Sequence, residues 1–323
     1  MGGTRARAAR TALGRGEVVS IAHAMQAALV DGLALSIRAL PWRTSLGVGA
    51  ALGDGARWLG LRRRVAADNL VRAFPDRTEA ERSSILVAHY RELGRVTVEY
   101  PRLGELVRSK ERAVVAEVRG LEHLERAQAA GRGAILLSGH YGNIELLGAW
   151  LGRMHPVSFV VRPLSNTRVE AWIARQRTSA GVGTISANSR VREVYTGLEN
   201  NEWMAMLADQ DARRHGVFVP FLGTPASTAT GPARIAIATG APIIMGFVTR
   251  RDDGRVELDI EPPLVAENPR AADAAERLTA RHVAILEHWV RRHPAMWFWL
   301  HRRWKTKPQA VVKETGEAVR ASV

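Results

Sequence analysis

The chain has 323 residues, 46% hydrophobic and 24% charged, enough to bury one large core or two small ones and too apolar to be disordered along most of its length. It contains no cysteine, which excludes disulfides, Cys-ligated zinc and a cysteine nucleophile. Forty-six Lys and Arg against 32 Asp and Glu leave a net charge of +14, which points to an anionic partner: nucleic acid, an anionic membrane surface or an acidic carrier protein.

Residues 1–16 are rich in Arg and Gly and are expected to form a flexible basic N-terminus. From 17 to 112 the pattern is helical, and this region is read as membrane-associating. Val18, Ile21, Met25, Leu29, Leu33, Ile37 and Leu40 recur at helical spacing, downstream of Arg5, Arg7, Arg10 and Arg15. Asp31 and Arg38 interrupt this segment, so no run reaches the ~18–20 apolar residues of a spanning helix. An interfacial amphipathic helix and a core-facing helix both fit the spacing. A cleaved signal peptide fits less well, because no cleavage site follows a compact apolar stretch. Further on, Asn69-Leu-Val-Arg-Ala-Phe-Pro75 ends one helix. Thr78-Glu-Ala-Glu81 has the form of a capped start for the next, with Ile85, Leu86, Tyr90 and Leu93 on its apolar positions.

Residues 113–305 read as an α/β domain. Strands are predicted over 114–118, 134–137, 157–161, 203–208, 243–248 and 256–260. Helices are predicted over 121–130, 144–151, 167–178, 232–239 and 270–292. This alternation predicts a mostly parallel or mixed sheet flanked by helices. Residues 306–323 form a polar, flexible tail in this reading.

The strongest chemical signal is Ser138-Gly-His-Tyr-Gly-Asn-Ile-Glu145, which follows an apolar strand. On a continuous helix His140 and Glu145 would diverge by ~140°. They can meet only if His140 sits in a loop and Glu145 on the first turn of the next helix, and Gly139 and Gly142 permit that turn. Glu145 is then expected to hold one imidazole nitrogen while the other takes a proton from an attacking hydroxyl. The competing reading is a structural histidine at a strand end. The sequence has no G-x-S-x-G elbow and no H-E-x-x-H, so direct attack by a substrate hydroxyl is the simplest chemistry.

Two other segments carry alternatives. Asp209-Gln-Asp211 is a D-x-D after a strand, which fits a glycosyltransferase metal site as well as ordinary loop capping. Trp297-Phe-Trp-Leu-His-Arg-Arg-Trp-Lys305 interleaves aromatics with cations, as nucleic-acid or membrane-surface binding would require. The spacing of Trp297, Leu300 and Trp304 favours instead a C-terminal helix packing its tryptophans inward, with some surface contact.

Gly139-His-Tyr-Gly-Asn-Ile-Glu145 resembles the H-x4-[DE] signature of the bacterial lipid A late acyltransferase family, within the lysophospholipid and glycerolipid acyltransferases. Asn69–Pro75, Val161-Arg-Pro163, the block from Ala208 to Thr228 and Pro294–Lys305 resemble further segments of that family in the same order. The resemblance implies a glycerolipid-acyltransferase-like α/β fold. It implies an acyl thioester co-substrate, normally on acyl carrier protein, a glycolipid acceptor such as a lipid A precursor, and neither metal nor redox cofactor. By resemblance His140 is the general base and Glu145 its partner. Arg162 would stabilise the thioester oxyanion or bind a phosphate, and Asp209 would support that arginine or the substrate. Asn143 and Asp211 complete the expected substrate-binding or oxyanion set. The expected setting is the cytoplasmic face of the inner membrane, with peripheral or weak anchoring. Alternatives are a lysophospholipid or phosphatidylinositol mannoside acceptor with acyl-CoA as donor and, from another class, a basic nucleic-acid-binding protein.

Overall fold

The computed structural model describes residues 23–108, 114–187 and 191–308. The basic N-terminus, Val18 and Ile21, the expected domain boundary at 112 and the tail from 309 onward lie outside the described residues.

The N-terminal third is helical: α1 (residues 23–38), α2 (Trp42–Trp58), α3 (Arg63–Ala73), α4 (Glu79–Glu99) and α5 (Leu103–Arg108). The Thr78 side chain accepts from the Glu81 N–H, and the Glu81 carboxylate accepts from the Thr78 N–H at 2.7 Å, so the predicted capping box starts α4. Helices α2 and α4 pack backbone to backbone. A Cβ on Gly94 would lie 1.8 Å from the Gly49 carbonyl oxygen, so only glycine allows the approach. Among the described residues no helix is long and apolar enough to cross a membrane.

The remainder is the predicted α/β unit. Its strands are β1 (Val115–Arg119), β2 (Ala134–Ser138), β3 (Val157–Val161), β4 (Val182–Ser186), β5 (Trp203–Leu207), β6 (Val217–Phe221), β7 (Thr224–Thr228), β8 (Ile243–Arg250) and β9 (Val256–Ile260). Its helices are α6 (Leu121–Ala129), α7 (Ile144–Leu151), α8 (Thr167–Ser179), α9 (Val191–Glu199), α10 (Gly231–Thr239) and α11 (Ala274–Arg292). A seven-stranded sheet runs β1-β9-β8-β2-β5-β3-β4. All neighbours are parallel except β8 and β9, which makes the sheet mixed. Strand side chains alternate between two buried clusters: Ile135, Leu137, Met204 and Met206 on one face, Ala134, Trp203 and Ala205 on the other.

Several elements depart from the expectation. The sequence pattern does not announce strand β4 or helix α9. Nor does it announce the β6–β7 hairpin, which contains Pro220 and Pro225 directly opposite each other. Proline lacks a ladder donor and argues against a strand, but a separate two-stranded ribbon tolerates it. The expected C-terminal helix over Trp297–Lys305 does not form. After a short 3-10 turn at Pro294–Met296 the chain runs irregularly, and Trp297, Trp299 and Trp304 are buried in the core without helical geometry.

Candidate active site

Strands β2 and β5 lie side by side, parallel and in register, with Ser138 opposite Leu207. The register carries into the loops, so His140 and Asp209, each two residues past its strand, face one another at the carboxyl end of the sheet. This is where open α/β sheets place ligands. His140 Nδ1 is 2.7 Å from Asp209 Oδ1, and the His140 backbone N–H donates to Asp209 Oδ2 at 2.8 Å. The Trp297 indole N–H also donates to Oδ2, at 2.8 Å. A carboxylate this well supplied with donors stays ionised. Burial pushes the Asp209 carboxyl up, but His140 and Trp297 outweigh it and hold the group down at about 2. The ionised acceptor fixes the imidazole proton on Nδ1. In the neutral ring Nε2 then carries the lone pair, which faces the Gln210 side-chain amide nitrogen at 3.3 Å.

Burial lowers the basicity of His140, while the charge and hydrogen bond of Asp209 and the more distant charge of Glu145 raise it, with a net shift upward. The His140 side chain is 35% exposed and that of Asp209 only 3%, so the base is reachable and its partner is not. Gly142 makes the turn possible: its φ is +56°, and a Cβ there would lie 2.2 Å from the Val248 carbonyl oxygen.

The C-terminal segment straps this loop down. The Phe298 N–H donates to the His140 carbonyl at 2.9 Å, and the Gly142 N–H donates to the Met296 carbonyl at 2.8 Å. The strap is held in turn by the Asn69 amide on α3, which donates to the Trp299 and His301 carbonyls at 2.8 and 2.7 Å. Buried Arg303 donates to the Gln210 carbonyl at 3.2 Å, and burial pulls its guanidinium down to about 10. Asn69 and the aromatic–basic block of the sequence thus serve the same loop.

Glu145 does not hold the imidazole, as the spacing suggested. It sits on the first turn of α7 and forms a two-pronged ion pair with Arg177 of α8, at 2.6 and 3.0 Å. Arg177 also lies over the Phe159 ring, 4.9 Å from its centroid. Asp209, expected to support Arg162, is fully committed to His140 and Trp297. Arg162 is exposed immediately after β3, so the carboxyl ends of β2, β5 and β3 carry His140, Asp209 and Arg162 in spatial order. Asn143, expected to face substrate, is buried: its Oδ1 caps α7 at the Leu146 N–H and its Nδ2 donates to Glu99. That links it to a buried cluster in which Arg250 bridges Glu92 and Glu99, none of which the sequence pattern singles out. The Asp211 backbone N–H donates to His301 Nε2, and its carboxylate accepts from Thr306. Asp209 and Asp211 therefore answer to different partners. Among the described residues no group of three His, Asp or Glu is placed to hold a metal.

A narrow apolar slot lies between α7 and the sheet, lined by Leu136, Ile144, Leu147, Leu151, Phe159 and Ala205 among others. Its upper lining, Ser138 and Leu207, ends the two strands that lead into the site. An imidazole made basic by a buried carboxylate, beside an apolar slot, suits deprotonation of a hydroxyl that attacks an apolar acyl group.

Residues 17–306 match the family described as bacterial lipid A biosynthesis acyltransferase, and the chain belongs to that family. It is an O-acyltransferase, with an acyl donor as its co-substrate. It is 29% identical over 273 residues to the lipid A biosynthesis palmitoleoyltransferase of Escherichia coli K12, covering 83% of this chain and 87% of that protein. It is 28% identical over 276 residues to the lipid A biosynthesis lauroyltransferase of the same organism, covering 84% and 89%. It is 27% identical over 278 residues to the phosphatidylinositol mannoside acyltransferase of Mycobacterium tuberculosis H37Rv, covering 84% and 85%.

Proposed function

We propose that the protein transfers a fatty acyl group from an acyl thioester, carried by acyl carrier protein, to a hydroxyl of a glycolipid at the cytoplasmic face of the inner membrane, where it attaches peripherally. The observation that carries this reading is the Asp209–His140 pair, which in the neutral ring keeps the proton on Nδ1 and leaves Nε2 reachable to accept one. The acceptor hydroxyl displaces Gln210 from Nε2 and gives up its proton there as its oxygen attacks the thioester carbonyl. The tetrahedral intermediate then expels the thiolate, the C–S bond breaks, and the imidazolium returns the proton to sulfur. The products are an ester and a free carrier thiol.

Asp209 orients the imidazole and stabilises its charged form. Glu145 adds negative charge nearby and, through Arg177, fixes α7 against α8. Arg162, exposed at the end of β3, takes an anionic group of donor or acceptor, because a guanidinium matches phosphate geometry. Asp211 orders the loop beyond Gln210. The donor chain enters the slot between α7 and the sheet.

Two acceptors fit. A lipid A precursor is favoured by the similarity to the two Escherichia coli enzymes. A phosphatidylinositol mannoside is favoured by the nearly equal identity to the mycobacterial enzyme. Mass spectrometry of total lipids from cells with the active gene and with the His140→Ala gene decides between them. Gain of one acyl group on a glycolipid only with the active gene supports the reading, and identical lipid profiles overturn it.

A further inference from the structure

The turn between α2 and α3 exposes a compact group of large apolar side chains. Trp58 is 84% exposed, Leu59 80% and Leu61 56%. The backbone beneath them is ordered. The Leu59 N–H donates to Gly55, the Leu61 N–H to Ala56, and the Tyr90 hydroxyl donates to the Leu61 carbonyl. Gly60 takes φ +72° to make the turn. The apolar side chains are therefore held outward by structure rather than left there by fraying. Leaving Trp and Leu in water opposes the hydrophobic effect, and such a cluster marks an interaction site when it is contiguous and rimmed by polar groups.

The rim here is cationic. Arg62, Arg63 and Arg64 follow directly, all exposed, and Arg63 and Arg64 pair with no carboxylate among the described residues. Trp with Leu at the tip and arginines behind matches a bilayer surface, where indole rings sit at headgroup depth and guanidinium groups meet anionic lipid. A second copy of the chain would bring the same positive charge to the contact and be repelled. The turn is also wired to the site. The Arg62 guanidinium donates to the Leu300 carbonyl at 3.2 Å, and Asn69 on α3 holds the residues on either side of Leu300. Two residues back, Phe298 holds the His140 carbonyl.

We propose that Trp58, Leu59 and Leu61 form a membrane-inserting tip, and that Arg62–Arg64 bind anionic headgroups around it, seating the His140 loop against an anionic bilayer. The proposal rests on the glycolipid-acceptor reading for its purpose, but its test does not depend on transfer.

Because the chain has no cysteine, Leu59→Cys gives a unique labelling site for an environment-sensitive fluorophore in the full-length protein. The expected result is a blue-shifted, brighter emission on adding vesicles of phosphatidylcholine with phosphatidylglycerol, quenched by spin labels at the lipid headgroup. The same fluorophore at Glu276→Cys on α11 should not respond. Arg63→Glu with Arg64→Glu should weaken vesicle partitioning by roughly a hundredfold at low salt, and Trp58→Ser with Leu59→Ser by at least about tenfold, with unchanged circular dichroism. No vesicle binding overturns the proposal, as does vesicle binding with a silent label at position 59. So does a label that responds to acyl carrier protein, or to protein concentration, without vesicles. Transfer by the unsubstituted enzyme to detergent-dispersed glycolipid is measured in parallel. Its absence while the tip inserts would refute the acceptor reading alone.

Discussion

Asp209 accepts from two donors of His140 at once, the ring Nδ1–H at 2.7 Å and the backbone N–H at 2.8 Å, across the carboxyl ends of β5 and β2. These two hydrogen bonds fix both the ring and its loop, so tautomer and position are set by one buried carboxylate. With His140 as the base, several consequences can be measured.

Transfer requires unprotonated Nε2, so the rate should rise with pH through the His140 pKa, which lies above its ordinary 6.5. Asp209→Asn removes the charge that raises it. The rising limb of kcat/KM should move to lower pH, and kcat should fall by about 10^2–10^4 as the imidazolium loses its partner. The pair also contributes to stability in two windows. Asp209 is depressed below its ordinary 3.8, so its contribution is present above that value and lost as pH falls towards about 2. His140 is raised, so its contribution is present below pH 6.5 and lost as pH rises through the folded-state value. Rate profiles and acid unfolding of the Asp209→Asn variant against the unsubstituted protein read both effects.

Trp297→Phe keeps an aromatic ring and deletes the N–H that Asp209 Oδ2 accepts. The cost should be about 1–3 kcal/mol of stability for the buried acceptor left short of a donor. The transfer rate should fall while KM for the acceptor stays put, because nothing in this substitution touches substrate. Denaturant melts with steady-state kinetics separate the two.

Glu145→Gln removes one partner of an ion pair whose side chains are only 13% and 11% exposed, leaving Arg177 uncompensated. The expected loss is about 3–5 kcal/mol of stability. Restoring neutrality with Arg177→Met should recover most of it. Recovery of stability without recovery of rate would assign Glu145 an electrostatic part in the chemistry as well. Recovery of both would make its role positional.

Much of this site can be read from the chain. The apolar run before His140 is β2, Ile144–Leu151 is α7, and the glycines between make the turn. The partner of the imidazole cannot be read the same way. Glu145 is the nearest carboxylate in sequence, whereas Asp209 is 69 residues away and becomes the neighbour only through the pairing of β2 with β5. Local pattern gives strands but not their order, so it offers Asp209 no reason to meet His140 rather than Arg162. The tryptophans after Pro294 show the converse. Their spacing imitates a helix, yet the backbone is spent on His140 and Gly142, and burial of the rings follows from that strap. Pro220 and Pro225 hide the β6–β7 hairpin because proline normally argues against strands.

The slot makes a prediction about chain length. Ala205→Leu adds three carbons to its lining, and Leu147→Ala removes three. Product mass spectra from mixed donors should shift to shorter acyl chains for the first and longer for the second, with each core change costing about 1–5 kcal/mol. Unchanged product chains in both variants would place the donor chain elsewhere.

The most direct test of the central claim is the initial rate of ester formation by purified protein, with acyl-acyl carrier protein and a glycolipid acceptor, for the unsubstituted chain and for His140→Ala. One acyl group should be added per acceptor, at a rate reduced by about 10^2–10^4 in the variant, with its fold intact. Transfer by His140→Ala at the unsubstituted rate would contradict the role of His140 as general base.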